Sequence, residues 1–344
     1  MNQMRLLITG GCGFLGSNLA AAAMARGLEP MLLDDLSRVG SRANLTWLIK
    51  QGPLRFVRCD VCDAGAVEAV VRDLKPNVLF HLAGQVAMTT SLTNPLRDFA
   101  VNAQGTLNVL EAVRRFTPEA AIVYSSTNKV YGDLKQYRYE ETRTRWTCTD
   151  RPEGFAENTP LNFQSPYGCS KGAADQYVLD YARSFGLRAA VFRHSSMYGG
   201  RQFATFDQGW IGWFAAEALR VAREGGTISI SGDGKQVRDV LHADDMVALY
   251  FAAAERIESV TGEAFNVGGG MTRSLSLQEL FNMLEPLVGS PINVKRFPPR
   301  ASDQKVFVAD IRKVEQLLGW SPQVQTADGL RRMVDWAREL ASER

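Results

Sequence analysis

A tyrosine and a lysine four residues apart are the side chains in this sequence best suited to move a proton. Tyr167 and Lys171 open a segment whose pattern predicts a helix, with Ser165 as its N-cap and Pro166 as its first residue. Residues i and i+4 share a helix face, so we expect the phenol and the ammonium side by side. Because a neighbouring cation favours the phenolate, the pKa of Tyr167 is expected to fall from about 10 toward working pH. Such a pair could exchange a proton with an alcohol or sugar hydroxyl.

The chain opens with a strand, a glycine-rich turn and a helix, the order that a dinucleotide-binding motif requires. The apolar strand covers residues 4–9, and the helical pattern covers 17–26. Between them, Gly10 and Gly13 would let the backbone approach a pyrophosphate, and Gly16 would let the helix pack closely on the strand. The phosphates would lie at the helix N-terminus, where free N–H groups favour negative charge.

An acidic residue after the second predicted strand indicates which dinucleotide binds. The strand covers residues 30–33 and is followed by Asp34 and Asp35. A carboxylate here can accept hydrogen bonds from ribose hydroxyls and repels a 2′-phosphate, which favours NAD over NADP. The alternative interpretation is an aspartate that only stabilises a turn.

Strands and helices continue to alternate, which predicts a Rossmann-type, doubly wound parallel α/β sheet. The further predicted strands are 54–58, 77–81, 120–124, 187–192 and 264–267, and the predicted helices between them include 64–74, 94–116 and 244–256. Ligands bind such sheets at the carboxyl ends of the strands. Inside the helix over 94–116, Asn102 and Gly105 are mediocre helix formers, so either they fill a tight packing contact or Asn102 meets a ligand.

Past residue 196 the pattern is less regular and predicts a smaller, mixed α/β domain that binds substrate. We assign residues 1–192 plus 237–268 to the NAD-binding domain and 193–236 plus 269–344 to the second domain. Several aromatic residues of the second domain form either its core or a wall that faces a base or sugar; they are Phe203, Phe206, Trp210, Trp213 and Phe214. The polar segment 132–162 is too long for an ordinary connection, so we expect a functional flap or an oligomer contact.

The composition and net charge of the chain limit the classes of molecule that it is expected to bind. The chain has 344 residues, is 45% hydrophobic and carries a net charge of +2, which gives no argument for nucleic acid or a membrane surface. No apolar run of transmembrane length is present, and the glycine motif at Gly10 leaves no room for a signal peptide. Five scattered cysteines fit a reduced, cytoplasmic protein. The single C-x-x-C of Cys59 and Cys62 is expected to be a pair of thiols, and no metal site is predicted.

The motifs together resemble the extended short-chain dehydrogenases/reductases over nearly the whole chain. The matching motifs are Gly10 to Gly16, Asp34, Asp60-Val61, His81-Leu82-Ala83, Asn102, Ser125-Ser126-Thr127 and Tyr167-x-x-x-Lys171. Three later blocks, 127–132, 192–210 and 238–242, are similar to the 2-epimerases of CDP-sugars within that family. The resemblance implies an NAD-dependent enzyme that inverts C2 of a CDP-sugar, converting CDP-paratose into CDP-tyvelose. It also implies a homodimer or homotetramer.

The resemblance implies a role for each matching residue. Tyr167 would be the base, Lys171 its activator and Thr127 the hydroxyl partner. Besides Tyr167 and Lys171, the residues expected to bind NAD are Gly10, Gly13, Phe14, Gly16, Asp34, Asp35, Asp60, Val61, Leu82, Ala83, Gln85, Asn102, Ser125 and His194. The residues expected to bind the CDP-sugar are Ser196, Arg201, Gln208, Arg238, Arg300 and Asp303. Of these, Arg238 and Arg300 would bind the phosphates through paired, charge-assisted hydrogen bonds.

Other functions on the same scaffold stay open at this point. A 4-epimerase or a decarboxylase of a UDP-sugar would share Thr127, Tyr167 and Lys171, so the scaffold alone does not separate them. A non-catalytic NAD-sensing protein and a nucleic-acid-binding protein are the rivals from other classes. The intact catalytic set argues against the first, and the nearly neutral charge argues against the second.

Overall fold

The alternation of strands and helices is present in the computed structural model, which describes residues 4–298 and 304–342. Its strands are β1 (Leu6–Thr9), β2 (Met31–Asp34), β3 (Arg55–Arg58), β4 (Val78–His81), β5 (Ala121–Thr127), β6 (Tyr139–Glu141), β7 (Trp146–Cys148), β8 (Ala189–His194), β9 (Ser196–Tyr198), β10 (Ile228–Ser231), β11 (Val237–His242), β12 (Ala264–Val267), β13 (Ser274–Ser276), β14 (Val294–Phe297) and β15 (Val306–Phe307).

The α-helices are α1 (Phe14–Ala25), α2 (Ser41–Ile49), α3 (Ala64–Leu74), α4 (Met88–Thr93), α5 (Pro95–Phe99), α6 (Gly105–Phe116), α7 (Ser165–Phe185), α8 (Trp210–Glu224), α9 (Ala243–Glu255), α10 (Ile257–Val260), α11 (Leu277–Val288), α12 (Arg312–Leu318) and α13 (Thr326–Ser342). Short 3₁₀ helices cover Asn128–Tyr131 and Met271–Arg273, and a π-helical segment covers Ala100–Gln104. Across the described ranges, no helix has both the length and the apolar character needed to cross a bilayer.

Within the described residues, seven strands form one parallel sheet in the order β12-β8-β5-β4-β1-β2-β3, which confirms the predicted Rossmann-type fold. The strand β1 pairs with β2 on one side and β4 on the other, with Ile8 opposite both Leu32 and Phe80. The strand order reverses at β1 and β4, and a crevice opens there at the carboxyl ends of the strands. This edge holds the glycine turn and the ends of β2, β4 and β5.

Each face of the large sheet is covered by a separate apolar core, as expected for parallel strands buried on both sides. One core packs α1 and α9 against the sheet through residues such as Leu19 and Leu249. The other packs α3, α6 and α7 through Val71, Leu110 and Val178. The helix that carries Tyr167 is therefore fixed along its length against the sheet.

The second half of the chain builds a smaller sheet. The strand β11 pairs with β13, β15 and β9, while β10 pairs with β14. Helices α8, α11 and α13 pack together around Ile211, Leu280 and Met333. The range 237–268, predicted to belong to the NAD-binding domain, supplies β11 to the smaller sheet and β12 to the large one. The division into two domains stays a prediction.

The segment 132–162 forms the hairpin of β6 and β7 and lies against the second sheet instead of projecting as a flap. The Arg145 guanidinium bonds the Glu279 carboxylate at the start of α11, with Nε 2.8 Å from Oε1. The Trp146 N–H donates to the carbonyl of Lys235 at 2.9 Å. The hairpin thus ties residues near the catalytic strand β5 to the second sheet. Its use as an oligomer contact stays a prediction.

The predicted helix over 94–116 is divided by the π-helical segment between α5 and α6. Gly105 follows this segment, and a Cβ there would lie 2.6 Å from Cγ2 of Val61, so Gly105 fills a tight packing contact. Single π-helical turns inside α-helices occur frequently at functional sites. Here the turn carries Asn102 toward the Tyr167 helix.

Candidate active site

Tyr167 and Lys171 lie on one face of α7, as the spacing predicts. The helix begins at Ser165, so the N-cap position belongs to Gln164 and not to Ser165 as predicted; Ser165 has a left-handed φ of +62°. The predicted capping contact is still made, because the hydroxyl oxygen of Ser165 accepts a hydrogen bond from the Gly168 N–H at 3.3 Å. The start of α7 is thereby fixed just before the tyrosine.

Burial, more than the neighbouring cation, sets the protonation of this pair. It raises the pKa of Tyr167 to about 12, opposed by a hydrogen bond from Thr127 and reinforced by the negative charge of Asp98. The expected fall in the phenol pKa is therefore wrong for the chain by itself. Burial also lowers the pKa of Lys171 to about 7, although Asp175 and Asp98 act to raise it.

The ammonium of Lys171 is held by the end of β5. Its Nζ donates to the carbonyl oxygen of Ser125 at 2.5 Å and lies 4.4 Å from the centre of the Tyr124 ring. Thr127, two residues after Ser125, accepts a hydrogen bond from the Lys129 N–H at 3.2 Å and interacts with Tyr167. The three predicted catalytic side chains are thus brought together by α7 and β5.

Two adjoining cavities lie beside this set. The glycine-turn cavity contains the loop after β1 and the ends of β2, β3 and β4; its lining includes Gly10, Gly13, Phe14, Gly16, Asp34, Asp35, Asp60, Val61, Leu82, Ala83, Gln85 and Ser125. The Tyr167 cavity lies between β5, α7 and the second sheet; its lining includes Thr127, Tyr167, Ser196, Gln208, Trp210 and Arg238. Val86 and Gln208 line both cavities, so a ligand in one can reach a ligand in the other.

Two predicted positions of the glycine turn, Gly10 and Gly16, have no room for a side chain. Gly10 has a φ of +67°, and its N–H donates to the Leu33 carbonyl at 2.8 Å. A Cβ on Gly16 would lie 2.2 Å from the carbonyl oxygen of Gly10. The turn therefore keeps its backbone open toward the cavity, as binding of a pyrophosphate requires.

Asp34 both shapes the turn and lines the cavity. Its carboxylate accepts hydrogen bonds from the N–H groups of Cys12 at 3.0 Å and Leu36 at 2.8 Å. Burial raises the pKa of this carboxyl group, and the two backbone hydrogen bonds oppose the rise. The two interpretations of Asp34, as a turn residue and as a ribose ligand, are thus compatible.

Arg97 is a residue of the glycine-turn cavity that the sequence analysis missed. Its guanidinium pairs with the Asp60 carboxylate at 2.7 Å and with the Asp35 carboxylate at 3.4 Å. The available signal was the pair of carboxylates: Asp35 and Asp60 follow two neighbouring strands whose ends meet at one sheet edge, where a cation is needed beside them. Arg97 balances part of the negative charge of Asp35 and Asp60, and Asp34 remains the carboxylate that bonds the turn.

Four predicted contacts are placed elsewhere, and the first is Lys171, which was also expected to bind NAD but is buried and lines neither cavity. Asn102 and His194 are buried behind the cavities: Asn102 accepts a hydrogen bond from the Gln85 N–H at 2.9 Å, and His194 Nε2 lies 2.9 Å from the Tyr250 hydroxyl. Burial lowers the pKa of His194 to about 3, so its ring is neutral. Arg201, predicted to bind the sugar nucleotide, lines the glycine-turn cavity instead, because its Nε bonds the Asn44 side chain at 3.1 Å.

The other residues predicted for substrate do line the Tyr167 cavity where the structure describes them. The Ser196 hydroxyl oxygen accepts a hydrogen bond from the Trp210 indole at 2.9 Å. The Arg238 guanidinium donates to the carbonyl of Gln304 at 2.8 Å. Arg300 and Asp303 lie outside the described residues. Polar residues that the sequence analysis did not single out also line this cavity, namely Thr89, Asn128, Lys129, Ser195, Asp207, Ser231 and Gln236.

Four of the five aromatic residues left open by the sequence analysis form a wall of the Tyr167 cavity; they are Phe206, Trp210, Trp213 and Phe214. Phe203 lines the glycine-turn cavity and packs against Gly40, where a Cβ would lie 2.2 Å from its ring. Several of these rings also contact one another or the helical core, including Phe214 and Phe281 at 5.2 Å between centres. The aromatic residues therefore line the cavity and belong to the core at the same time, so the two interpretations are compatible.

Comparison with known proteins gives the same assignment over the whole chain. The model of the NAD dependent epimerase/dehydratase family matches residues 6–268. The chain belongs to this family. A CDP-paratose 2-epimerase of Salmonella typhi is 55% identical over 98% of this chain and 100% of its own. A UDP-glucose 4-epimerase of Mycolicibacterium smegmatis is 32% identical over 97% of this chain and 99% of its own.

A solved structure extends the comparison to the fold. The UDP-glucose 4-epimerase of Thermus thermophilus, in complex with NAD, is 31% identical and aligns with a TM-score of 0.81 over 97% of this chain and 99% of its own. As a member of the NAD-dependent epimerase/dehydratase family, the protein is an enzyme that uses NAD. Its residues fit that cofactor, because a Cβ at Gly16 would close the turn and Asp34 ends β2 at the cavity.

Replacing Asp34 by arginine is expected to weaken retention of NAD. The variant would place a large cation where a buried carboxylate now accepts two backbone hydrogen bonds, and it would remove the acceptor proposed for the ribose hydroxyls. The NAD content of purified protein, released by acid and assayed enzymatically, measures the effect. Unchanged NAD content would contradict this role. Asp73→Arg, at the exposed end of α3, is a matched control for the added charge.

Proposed function

We propose that this protein is a CDP-sugar 2-epimerase that converts CDP-paratose into CDP-tyvelose. The observation that carries the proposal is the similarity to the Salmonella enzyme along the full length of both chains. The meeting of Thr127 and Tyr167 in the cavity that adjoins the glycine-turn cavity, with Lys171 buried beside them, supports it. Because the family also contains 4-epimerases and dehydratases, the substrate itself has to be tested.

Inversion at C2 needs an oxidation because that C–H bond is not next to a carbonyl and is not acidic. NAD, when bound, supplies a reversible acceptor for the hydride of that carbon. The protein must then move the hydroxyl proton, hold the cofactor and sugar together, and exclude competing water. These are tasks for the groups at the junction of the glycine-turn cavity and the Tyr167 cavity.

Tyr167 is proposed to take the proton of the 2-hydroxyl and later return it. Thr127, which interacts with the phenol, would hydrogen-bond the sugar oxygen as charge develops on it. Because burial raises the pKa of Tyr167 to about 12 in the chain alone, the phenolate needs positive charge nearby. Lys171 supplies part of that charge, and its contact with the Ser125 carbonyl fixes its position.

The Tyr167 cavity offers different surfaces to the two parts of a sugar nucleotide. Near the catalytic set lie the apolar side chains of Val86 and Met88. The 2-keto sugar, which is planar at C2, can turn over against such apolar walls without losing fixed hydrogen bonds. On the side of the second sheet, Arg238 of β11 and Gln236, which directly precedes β11, provide donors for phosphates and a base. We propose that the nucleotide is held at this end while the sugar presents either face.

Proton NMR of the holoenzyme with CDP-paratose in D₂O tests the reaction directly. Inversion at C2 changes the coupling between H1 and H2, so the product is seen without separation. We expect CDP-tyvelose without deuterium at C2, because the same hydride returns. Deuterium at C2 would contradict hydride return, and absence of turnover would contradict the substrate assignment. Subsequent addition of CDP-glucose and UDP-sugars then distinguishes a wrong substrate from a wrong reaction.

A homo-oligomer is part of the proposal. Large apolar side chains are exposed on neighbouring helices of the NAD-binding half, namely Leu92, Leu96, Phe99, Tyr177 and Phe185. Exposed apolar groups that cluster on one side of a protein mark interaction surfaces. Sedimentation equilibrium is expected to give at least twice the mass of 38.0 kDa, and a monomer at micromolar concentration would contradict this.

The five unpaired cysteines fit the proposed cytoplasmic location.

A further inference from the structure

We infer that Asp98 is a positioning residue for this reaction, whose buried carboxylate keeps the Lys171 ammonium protonated beside Tyr167. The inference rests on the proposed function and adds a residue to its machinery. Asp98 lies on α5, away from the glycine turn and from both cavities. It acts on the catalytic pair from behind, through the start of α7.

Hydrogen bonds fix the Asp98 carboxylate against the catalytic helix. Asp98 is completely buried, and its Oδ2 accepts a hydrogen bond from the Ser170 hydroxyl at 2.5 Å. Ser170 directly precedes Lys171. The side-chain N–H₂ of Asn102 donates to Asp98 Oδ1 at 3.3 Å and to Ser170 Oγ at 3.0 Å. The carboxylate is thus joined to α7 by neutral donors on two sides.

The Asp98 carboxylate differs from its neighbour Asp175 in how its charge is balanced. Among the described residues, no lysine, arginine or histidine nitrogen lies within salt-bridge distance of Asp98. Asp175, the other carboxylate that acts on Lys171, is bound by the Arg193 guanidinium through both oxygens, at 2.8 and 2.9 Å. The charge of Asp175 is therefore largely balanced by Arg193, whereas the groups that bond Asp98 are neutral. Burial raises the pKa of Asp98, and the Ser170 hydrogen bond and the charge of Lys171 oppose that rise and favour the carboxylate. In a buried site such a charge is strong over several ångströms.

The Lys171 ammonium lies close to the Asn102 side chain that donates to Asp98. A Cβ on Gly84 would lie 3.0 Å from Asn102 Oδ1 and 3.7 Å from Lys171 Nζ. Burial lowers the pKa of Lys171 to about 7, and the charges that oppose this are those of Asp175, which acts more strongly, and Asp98. The other ionisable groups of the elements around the lysine are neutral, paired or at the far end of α7; they are Tyr167, His81, His194, Tyr124, Arg193, Glu111 and Tyr181. Lys129 is a further cation, and it lies in the lining of the Tyr167 cavity.

Removing the charge of Asp98 should therefore leave Lys171 protonated only at lower pH. Because the phenolate of Tyr167 depends on nearby positive charge, activity should fall when Lys171 loses its proton. The alkaline limb of the pH profile then reports the protonation of Lys171. A merely structural role for Asp98 would lower activity without moving this limb.

The test is the pH dependence of kcat for the holoenzyme with CDP-paratose, in wild type, Asp98→Asn, Asp98→Glu and Ser170→Ala. Asp98→Asn keeps the shape and loses the charge, and its alkaline limb is expected to move down by about one pH unit. Asp98→Glu keeps the charge and should keep the limb near its wild-type position. Ser170→Ala removes a hydrogen bond but keeps the carboxylate, so it should lower kcat without a comparable shift.

Two outcomes would overturn the inference. One is an Asp98→Asn profile that superimposes on the wild-type profile after scaling. The other is an equal shift in Ser170→Ala, which would assign the effect to the hydrogen bond instead of the charge. If the asparagine variant does not fold, Asp98→Ser provides a smaller neutral side chain for the same measurement. Wild-type protein that does not epimerise CDP-paratose would contradict the proposed function and is recognised before any variant is compared.

Discussion

Tyr167→Phe is expected to reduce kcat by at least about 100-fold, the low end for the loss of an acid–base group. The phenylalanine ring fills the same space but cannot accept or return the proton of the sugar hydroxyl. Thr127 and Lys171 remain in place, so the fold and the bound NAD should be retained. The NMR assay gives the rate, and the NAD content of the purified variant shows that the cofactor site is intact.

A second tyrosine on the same helix provides the matched control. Tyr177 is exposed on α7 and lies outside the lining of the Tyr167 cavity. Tyr177→Phe removes the same hydroxyl group away from the cavity and keeps the apolar ring that belongs to the proposed oligomer surface, so kcat should stay within about twofold. Near-normal turnover in Tyr167→Phe would show that another group moves the proton.

Asp175→Asn is expected to destabilise the folded protein by about 3–5 kcal/mol, the usual cost of removing one partner of a buried ion pair. Asp175 and Arg193 are both buried, and the carboxylate also accepts a hydrogen bond from the Ser126 hydroxyl at 2.7 Å. An asparagine would leave the guanidinium without a counter-charge and would turn an N–H₂ group toward it. Urea unfolding of the two proteins under matched NAD concentration measures the difference.

An exposed ion pair on the same helix separates burial from charge. Asp180 pairs with Arg183 at the surface of α7. Asp180→Asn should change the free energy of unfolding by less than about 1 kcal/mol, because exposed pairs contribute little. Equal destabilisation by the two variants would contradict the argument from burial.

The large sheet and its catalytic pair could be predicted from the sequence because both depend on local signals. Continuous apolar runs such as Leu6–Thr9 identify strands buried on both faces. Turn glycines, Asp34 and the spacing of Tyr167 and Lys171 then follow from the topology, since parallel strand ends meet at one edge. The predicted boundaries of β12 and α3 agree with the observed ones, and those of the other predicted strands and helices of this half differ by one to three residues.

The remaining features depend on contacts between distant segments. From the sequence alone, Arg97 would be assigned to the solvated surface, because only the fold brings Asp35 and Asp60 beside it. The short strands β6 and β7 are stabilised by pairing with each other and by docking on the second sheet. The shift of Tyr167 to a higher pKa is also non-local, because it arises from burial by groups far apart in the chain.

The placement of the catalytic side chains has a consequence for how such enzymes diversify. Thr127, Tyr167 and Lys171 all come from β5 and α7, whereas the opposite wall of the Tyr167 cavity comes from α8 and the second sheet. Mutations in that wall can alter which nucleotide or sugar is accepted without displacing the groups that move the proton. Selection can therefore act on specificity and on chemistry almost independently. One inherited reaction centre can serve descendants with different substrates.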